Sequence, residues 1–212
     1  SLYLGTSFPN RVEHYDRYMT FRDVDDSEVS AWKAAFVQFC KKLSLNDSRA
    51  LLIKSPPHTA RIRTILEMFP DARFVHIHRD PYRVFQSQRR FFDTAGWYTY
   101  LQKPDLDVID EGILQRHETM YDAYYEDLPA VAKDRIVEIR FDDLEAKPVE
   151  VLAKVYDHLS LDGFAEFKPQ LQAYVDTLAS YQKNSFEGLD AETKAVVAKR
   201  WARSFEKGGY EV

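Results

Sequence analysis

Two short apolar runs, each ended by proline or another chain-breaking residue, constrain the fold of this chain most strongly. Residues 50–54 (ALLIK) and 73–78 (RFVHIH) have the length and composition of strands, and the continuous apolar character of 50–54 is expected for a strand covered on both faces. A helical pattern over 59–68 and a turn over 69–72 separate them. This is the length of a right-handed crossover between parallel strands, so we expect an α/β fold.

The rest of the chain continues this alternation. Residues 135–141 (RIVEIRF) predict a third strand, and 101–110 reads as a polar loop. The other predicted helices cover residues 27–43, 81–94, 111–128, 148–159, 167–180 and 190–207. Because no repeat, low-complexity tract or Gly/Ser linker divides the chain, we predict a single domain over residues 1–212, with a parallel sheet flanked by helices.

Composition excludes several classes of protein. A net charge of −5 gives no general affinity for nucleic acid or an anionic membrane, and no apolar run approaches the roughly 18 residues of a membrane span. The single cysteine, Cys40, excludes an internal disulfide and fits a reducing compartment, so we expect a cytoplasmic protein. The helical apolar pattern around Cys40 predicts a buried structural thiol rather than a nucleophile.

Both predicted strands of the crossover end in a cation that is followed by proline and a helix. Lys54 ends the first strand and Arg79 follows the second. Helix N-termini add free N–H groups and a positive dipole end, which suits a phosphate or sulfate. The planar guanidinium of Arg79 matches a tetrahedral oxyanion, whereas Lys54 is a mobile point charge. A salt bridge from Arg79 to Asp80 or Asp142 is the structural alternative.

The stretch LLIKSPPHTARIRTILEMFPDARFVHIHRDPYRVFQS, residues 51–87, resembles the core of the PAPS-dependent sulfotransferases. It is similar in particular to the bacterial branch that resembles tyrosylprotein sulfotransferases. Arg-Asp-Pro closes the strand after FPDARFVHI, and Ser87 follows Arg79 by eight residues. The likeness is strong over 50–90, moderate over 135–160 and weak elsewhere.

The resemblance implies a P-loop-NTPase-like parallel sheet flanked by helices, which is the sulfotransferase fold. It also implies an enzyme that transfers a sulfonyl group from PAPS to a hydroxyl acceptor, or less favourably to an amine, and that releases PAP. This reaction should resemble phosphoryl transfer, in which positioning and charge neutralisation supply most of the catalysis. A sulfonyl group carries less charge than a phosphoryl group, so we expect no metal.

The resemblance also implies roles for individual residues. Arg79 and Ser87 would hold the 3′-phosphate of the nucleotide. Lys54 would stabilise charge on the transferring sulfonyl group and on the oxygen that leaves with the nucleotide. Phe141 stands where the family has an aromatic residue near the adenine, and Lys183 would reach a nucleotide phosphate.

The acceptor hydroxyl needs a general base, and His58, four residues after Lys54, is the best candidate. The cytosolic sulfotransferases place a histidine two residues after their lysine, where this chain has Pro56, so His58 could instead cap or line the helix. The tyrosylprotein-like branch uses an upstream glutamate that has no match here. His14 is a weaker candidate and suits an acceptor-side surface better.

Two groups of residues could be mistaken for metal ligands. His76 and His78 have no acidic or cysteine partner at a matching spacing, which favours core histidines. Asp105, Asp107 and Asp110 lack the spacing and glycine of a calcium loop, which favours a solvated loop. Neither group alters the expectation of a metal-free site.

The family's upstream loop for the 5′-phosphosulfate, typically PRSGTT, has no counterpart in this sequence; the nearest string, Gly5-Thr6-Ser7, lacks a preceding strand. We therefore expect the C-terminal portion of the full family domain. A non-catalytic or truncated fragment that binds PAP or a partner without turnover is the second hypothesis. A nucleotide kinase is a distant third, because no Walker A sequence is present. The acceptor stays open between a small molecule, a peptide and a carbohydrate.

Overall fold

The structure, a computed structural model, describes residues 4–105, 108–178 and 188–212. It is a mixed α/β structure in which helices flank a two-stranded parallel sheet. The chain forms two compact units: Ser1–Ala72 with Arg89–Ala130 is the first unit, and Arg73–Gln88 with Val131–Val212 is the second. This division into units does not test the single domain expected over residues 1–212, which stays a prediction.

The described residues form eleven α-helices. In chain order they are α1 (Leu4–Ser7), α2 (Val12–Thr20), α3 (Asp26–Leu43), α4 (Ile62–Met68), α5 (Pro81–Thr94), α6 (Ile109–Asp127), α7 (Phe141–Ala146), α8 (Pro148–His158), α9 (Phe164–Thr177), α10 (Ala191–Arg200) and α11 (Ala202–Gly208). Short 3₁₀ helices cover Pro9–Arg11, Pro56–Ala60, Gly96–Thr99, Leu128–Ala130 and Lys133–Arg135. No helix among the described residues has the length and apolarity needed to cross a membrane.

The sheet lies in the second unit. Strand β1 (Phe74–His78) pairs in parallel with β2 (Ile136–Arg140). Helix α5 follows β1, and its Phe85, 1% exposed, packs edge-on against Trp201, with ring centroids 5.9 Å apart. The predicted parallel sheet is confirmed, and its two strands come from the second and third apolar runs.

The first unit has its own core, in which Met19 of α2, Ala60 and Ala123 of α6 are buried together. Arg61 closes the C-terminal end of α2, because its Nε donates to the Met19 carbonyl at 3.0 Å. The Arg61 guanidinium also lies 4.5 Å from the ring centroid of Phe21. These contacts occupy Arg61 structurally and fix the segment next to His58.

One predicted strand is wrong. The described backbone of residues 50–54 forms no strand, and Leu52 is 94% exposed. The two strands of the described chain pair only with each other. The apolar composition of residues 50–54 is therefore not sufficient to make them a strand, because a strand also needs a hydrogen-bonded neighbour.

The burial expected of β1 is also only partly right. His76 is 9% exposed, but Val75 and Ile77 are 41% and 49% exposed. The buried face of β1 is thus the face that carries the histidine. Sequence reasoning also missed the short helices α1, α2 and α7, which lack a long apolar period.

Candidate functional site

The register of the sheet places Arg79 beside Phe141. The last residues of the two strands, His78 and Arg140, are paired directly. The next residue on each strand is therefore Arg79 on one side and Phe141 on the other. The Arg79 guanidinium carbon lies 4.6 Å from the centroid of the Phe141 ring, which is cation–π geometry.

The Arg79 side chain keeps one donor available. Its Nε is buried and has no hydrogen-bond partner among the described residues. No ion pair among the described residues joins Arg79 to Asp80 or Asp142, which was the structural alternative. The Asp80 carboxylate instead accepts the Arg83 backbone N–H at 2.9 Å, as an N-cap does. Because an unsatisfied buried donor costs about 1–3 kcal/mol, this nitrogen fits an anionic ligand.

Helix α5 carries Ser87 away from Arg79. Pro81 is the first residue of α5 and is buried, and the Asp80 cap leaves the following N–H groups oriented along the helix axis. Ser87 is exposed, in the second turn. At 1.5 Å per residue it lies about 9 Å along the axis from Pro81.

His58 is the more enclosed of the two predicted catalytic residues. Its ring meets Phe36 edge-on, with centroids 5.6 Å apart, and its Nδ1 is buried with no hydrogen-bond partner among the described residues. Burial, and secondarily the positive charge of Arg61, lower the pKa of His58 below its usual value. The imidazole is therefore neutral at pH 7, which is the form that can accept a proton.

Lys54 differs from Arg79 in its surroundings. It is exposed and precedes the 3₁₀ helix Pro56–Ala60. A solvated ammonium keeps its mobility, which suits a charge that must follow a moving group.

The six predicted site residues do not all lie in one unit. The two predicted catalytic residues belong to the first unit, and three of the predicted nucleotide-binding residues belong to the second. The fourth, Lys183, lies outside the described residues. The structure thus brings Arg79 next to Phe141, and the roles of all six residues stay predictions.

The two histidines of β1, His76 and His78, contact each other. Their rings stack with centroids 6.0 Å apart, and burial lowers the pKa of His76 to about 4. Across the described part of the chain, no three His, Cys, Asp or Glu side chains are grouped so as to hold a metal ion. His14, the weaker base candidate, meets Tyr15 edge-on at 5.0 Å.

One side chain at this site was not selected from the sequence. The Tyr210 hydroxyl and His78 Nδ1 are hydrogen-bonded at 3.0 Å, and the Arg140 guanidinium lies 4.4 Å from the Tyr210 ring centroid. Tyr210 thus contacts the residue before Arg79 and the residue before Phe141. The only local signal is the Gly208-Gly209 pair that precedes it.

Comparison with known proteins gives a consistent assignment. The model of the sulfotransferase family matches residues 6–166. The chain is 32% identical over 211 residues to the omega-hydroxy-beta-dihydromenaquinone-9 sulfotransferase Stf3 of Mycobacterium bovis and, equally, to that of Mycobacterium tuberculosis. Each match covers 100% of this chain and 54% of the relative, so the chain spans about half the length of these curated relatives.

A solved structure shares the fold. The crystal structure of sulfotransferase STF9 from Mycobacterium avium matches with a TM-score of 0.63 at 18% identity, and the match covers 76% of this chain and 42% of that one. The likeness at this identity concerns the fold alone. Because the family model spans most of its length, the chain belongs to the sulfotransferase family.

Proposed function

We propose that the chain is a sulfotransferase that moves a sulfonyl group from PAPS to a hydroxyl acceptor and releases PAP. The observation that carries this proposal is the Arg79 guanidinium: its Nε is buried without a partner among the described residues, and it lies on the Phe141 ring. A charged donor beside an aromatic ring suits a nucleotide phosphate next to its base. Membership of the sulfotransferase family supports the proposal that this nucleotide is the sulfonyl donor.

In this proposal four residues bind the nucleotide, each in the role that the resemblance implies. Arg79 donates to the 3′-phosphate, and the exposed hydroxyl of Ser87 donates to the same group. Phe141 packs against the adenine. Lys183 reaches a phosphate, as the resemblance implies. The N-terminal N–H groups of α5 add positive potential beside Arg79.

For the transfer step we propose Lys54 and His58. PAPS supplies the sulfonyl group as a phosphosulfate anhydride. Lys54 neutralises the negative charge that develops on the transferring group and on the oxygen that leaves with PAP. The neutral imidazole of His58 accepts the proton of the acceptor hydroxyl. No step calls for a metal.

For the acceptor we propose a hydroxyl on a lipid-like small molecule, ahead of a peptide or a carbohydrate. The two curated relatives are named for a hydroxylated menaquinone. The first unit displays apolar side chains that suit such a molecule: Trp97, Tyr98 and Leu101 are 51%, 91% and 72% exposed.

We place the reaction in the cytoplasm, since the single cysteine, Cys40, is a buried free thiol.

The test is calorimetric titration of PAP into the chain and into Arg79→Ala. Loss of a charge-assisted hydrogen bond worth about 1.5–3 kcal/mol should weaken PAP binding roughly 10- to 100-fold. The matched control is Arg83→Ala, an exposed arginine on the same helix whose backbone N–H still reaches Asp80. Arg83→Ala should bind PAP like the unsubstituted chain.

Two outcomes would count against the proposal. Equal affinities for the unsubstituted chain and Arg79→Ala would exclude Arg79 from the nucleotide site, and absence of PAP binding would exclude the function altogether. Binding of PAP without transfer of radiolabelled sulfate from PAPS would instead support the second hypothesis, a sulfotransferase-like chain that binds without turnover.

A further inference from the structure

The C-terminal segment contacts both strand ends of the second unit at once. Its Tyr210 hydroxyl is hydrogen-bonded to His78 Nδ1 at 3.0 Å, and its ring lies under the Arg140 guanidinium at 4.4 Å. His78 and Arg140 are the last residues of β1 and β2 and are paired in register. A single side chain therefore links the two strands where they end.

The backbone before Tyr210 is built for this approach. Gly209 has a φ of +64°, the left-handed conformation that commonly ends a helix. The Tyr210 N–H donates to the Phe205 carbonyl at 2.9 Å, which fixes the turn. A Cβ on Gly208 would lie 2.5 Å from the Tyr210 ring and 3.3 Å from His78 Nδ1. Glycine is thus required where the helix end, the tyrosine and the histidine converge.

The Tyr210 side chain contacts His78 and Arg140, and each of these is one peptide bond from a predicted nucleotide-binding residue. Arg79 follows His78, Phe141 follows Arg140, and the two side chains meet at 4.6 Å. We propose that Tyr210 is a positioning residue that holds the two strand ends so that Arg79 and Phe141 meet the nucleotide in the correct geometry. This inference rests on the proposed nucleotide site.

The contact made by Tyr210 can be separated from the general packing of the C-terminal helices. Phe205 of α11 packs against Tyr82 of α5 at 4.8 Å, and Trp201 packs against Phe85 at 5.9 Å. These rings hold α5 independently of Tyr210. A substitution of Tyr210 therefore leaves the anchoring of α5 in place and changes only the strand ends.

The experiment compares Tyr210→Phe with Tyr210→Ala. Tyr210→Phe removes the hydroxyl and keeps the ring under Arg140, and should weaken PAP binding about threefold to tenfold; Tyr210→Ala removes both contacts and should weaken it more than tenfold. The control is Tyr174→Phe in α9, a tyrosine 62% exposed in the same unit. It should leave PAP affinity unchanged.

A spectroscopic measurement distinguishes positioning from a loss of stability. The nitrogen chemical shifts of the His78 ring report the hydrogen bond to Tyr210, so they should change in Tyr210→Phe and not in Tyr174→Phe. Melting temperatures accompany each titration, and Tyr210→Phe should keep the melting temperature of the unsubstituted chain within a few degrees.

The outcomes separate this inference from the function on which it rests. If the unsubstituted chain binds PAP and Tyr210→Phe binds it equally well, the positioning role is overturned and the nucleotide site stands. If the unsubstituted chain binds no PAP, both are overturned. Should Tyr210→Ala fail to fold, Tyr210→Phe still decides the question.

Discussion

Arg79 and Lys54 are cations at the ends of short apolar runs, one in each compact unit. Arg79 leaves a strand that is hydrogen-bonded along its length to β2, and its guanidinium lies on an aromatic ring. Lys54 leaves a segment that forms no strand among the described residues, and it is exposed. The first cation is held rigidly beside a ring, and the second is mobile in solvent.

This difference suits the two cations to the two roles proposed for them. A rigid planar cation suits the grip on a nucleotide group that stays bound, whereas a mobile point charge suits a group that moves during the reaction. The sequence pattern of cation, proline and helix occurs at both places. Strand pairing, which depends on residues far along the chain, decides which of the two cations follows a paired strand.

The largest expected effect comes from removing a packing contact of α5, the helix that follows Arg79. Phe85 is 1% exposed and packs on Trp201, so Phe85→Ala should lower the free energy of unfolding by about 3–5 kcal/mol. The matched change in the other segment is Leu52→Ala; Leu52 is 94% exposed, and its loss should cost less than about 0.5 kcal/mol. Urea unfolding measures both.

A large loss in Leu52→Ala would contradict the comparison. It would mean that residues 50–54 are packed like β1, and that Lys54 stands on a support as rigid as that of Arg79. A small loss of unfolding free energy in Phe85→Ala would contradict the rigid support proposed for Arg79. In that case α5 would not depend on its contact with Trp201.

The next effect is on the rate of transfer. Lys54→Ala should lower kcat for sulfate transfer from PAPS about 100- to 1,000-fold, as removal of a transition-state donor does, while leaving PAP affinity within about threefold because PAP lacks the transferring group. Lys42→Ala, an exposed lysine on α3, is the control. A loss of PAP affinity in Lys54→Ala equal to that in Arg79→Ala would give both cations the same task.

The elements predicted correctly are those whose ends are marked by nearby residues, such as a helix cap, a proline or a polar residue after a strand. Helix α5 begins at Pro81 after the Asp80 cap, and both residues specify a helix start without help from distant contacts. Strands β1 and β2 are short apolar runs ended by polar residues. Residues 50–54 have the same appearance, but a strand also requires a neighbour, and composition does not report one.

The sequence supports a site prediction only where the proposed residues are neighbours along the chain, and the roles of those residues stay predictions. Arg79 and Ser87 share one strand–helix junction, and the family resemblance assigned both. Tyr210 was missed because its contact with His78 spans 132 residues and only the fold creates it. The contact between Arg79 and Phe141 likewise depends on the parallel register of two strands.

The smallest predicted effect compares the two units through their buried histidines. Burial lowers the pKa of His117 in the first unit to about 3 and that of His76 in the second to about 4, from an ordinary value of 6.5. Below pH 6.5 the unfolded chain takes up a proton that each folded site refuses. The contribution of each histidine to the free energy of unfolding is therefore fully present above pH 6.5. It decreases as the pH falls, until the pH reaches the pKa of the folded form.

The measurement is urea unfolding at several pH values of the unsubstituted chain, His76→Gln and His117→Gln. Between about pH 6.5 and pH 5, each histidine should account for about 2 kcal/mol of the lost free energy of unfolding, at roughly 1.4 kcal/mol per pH unit. Each variant should therefore lose about that much less over this range. If only one variant flattens the pH dependence, only that unit buries its histidine in the neutral form, and the two units differ in how firmly they exclude water.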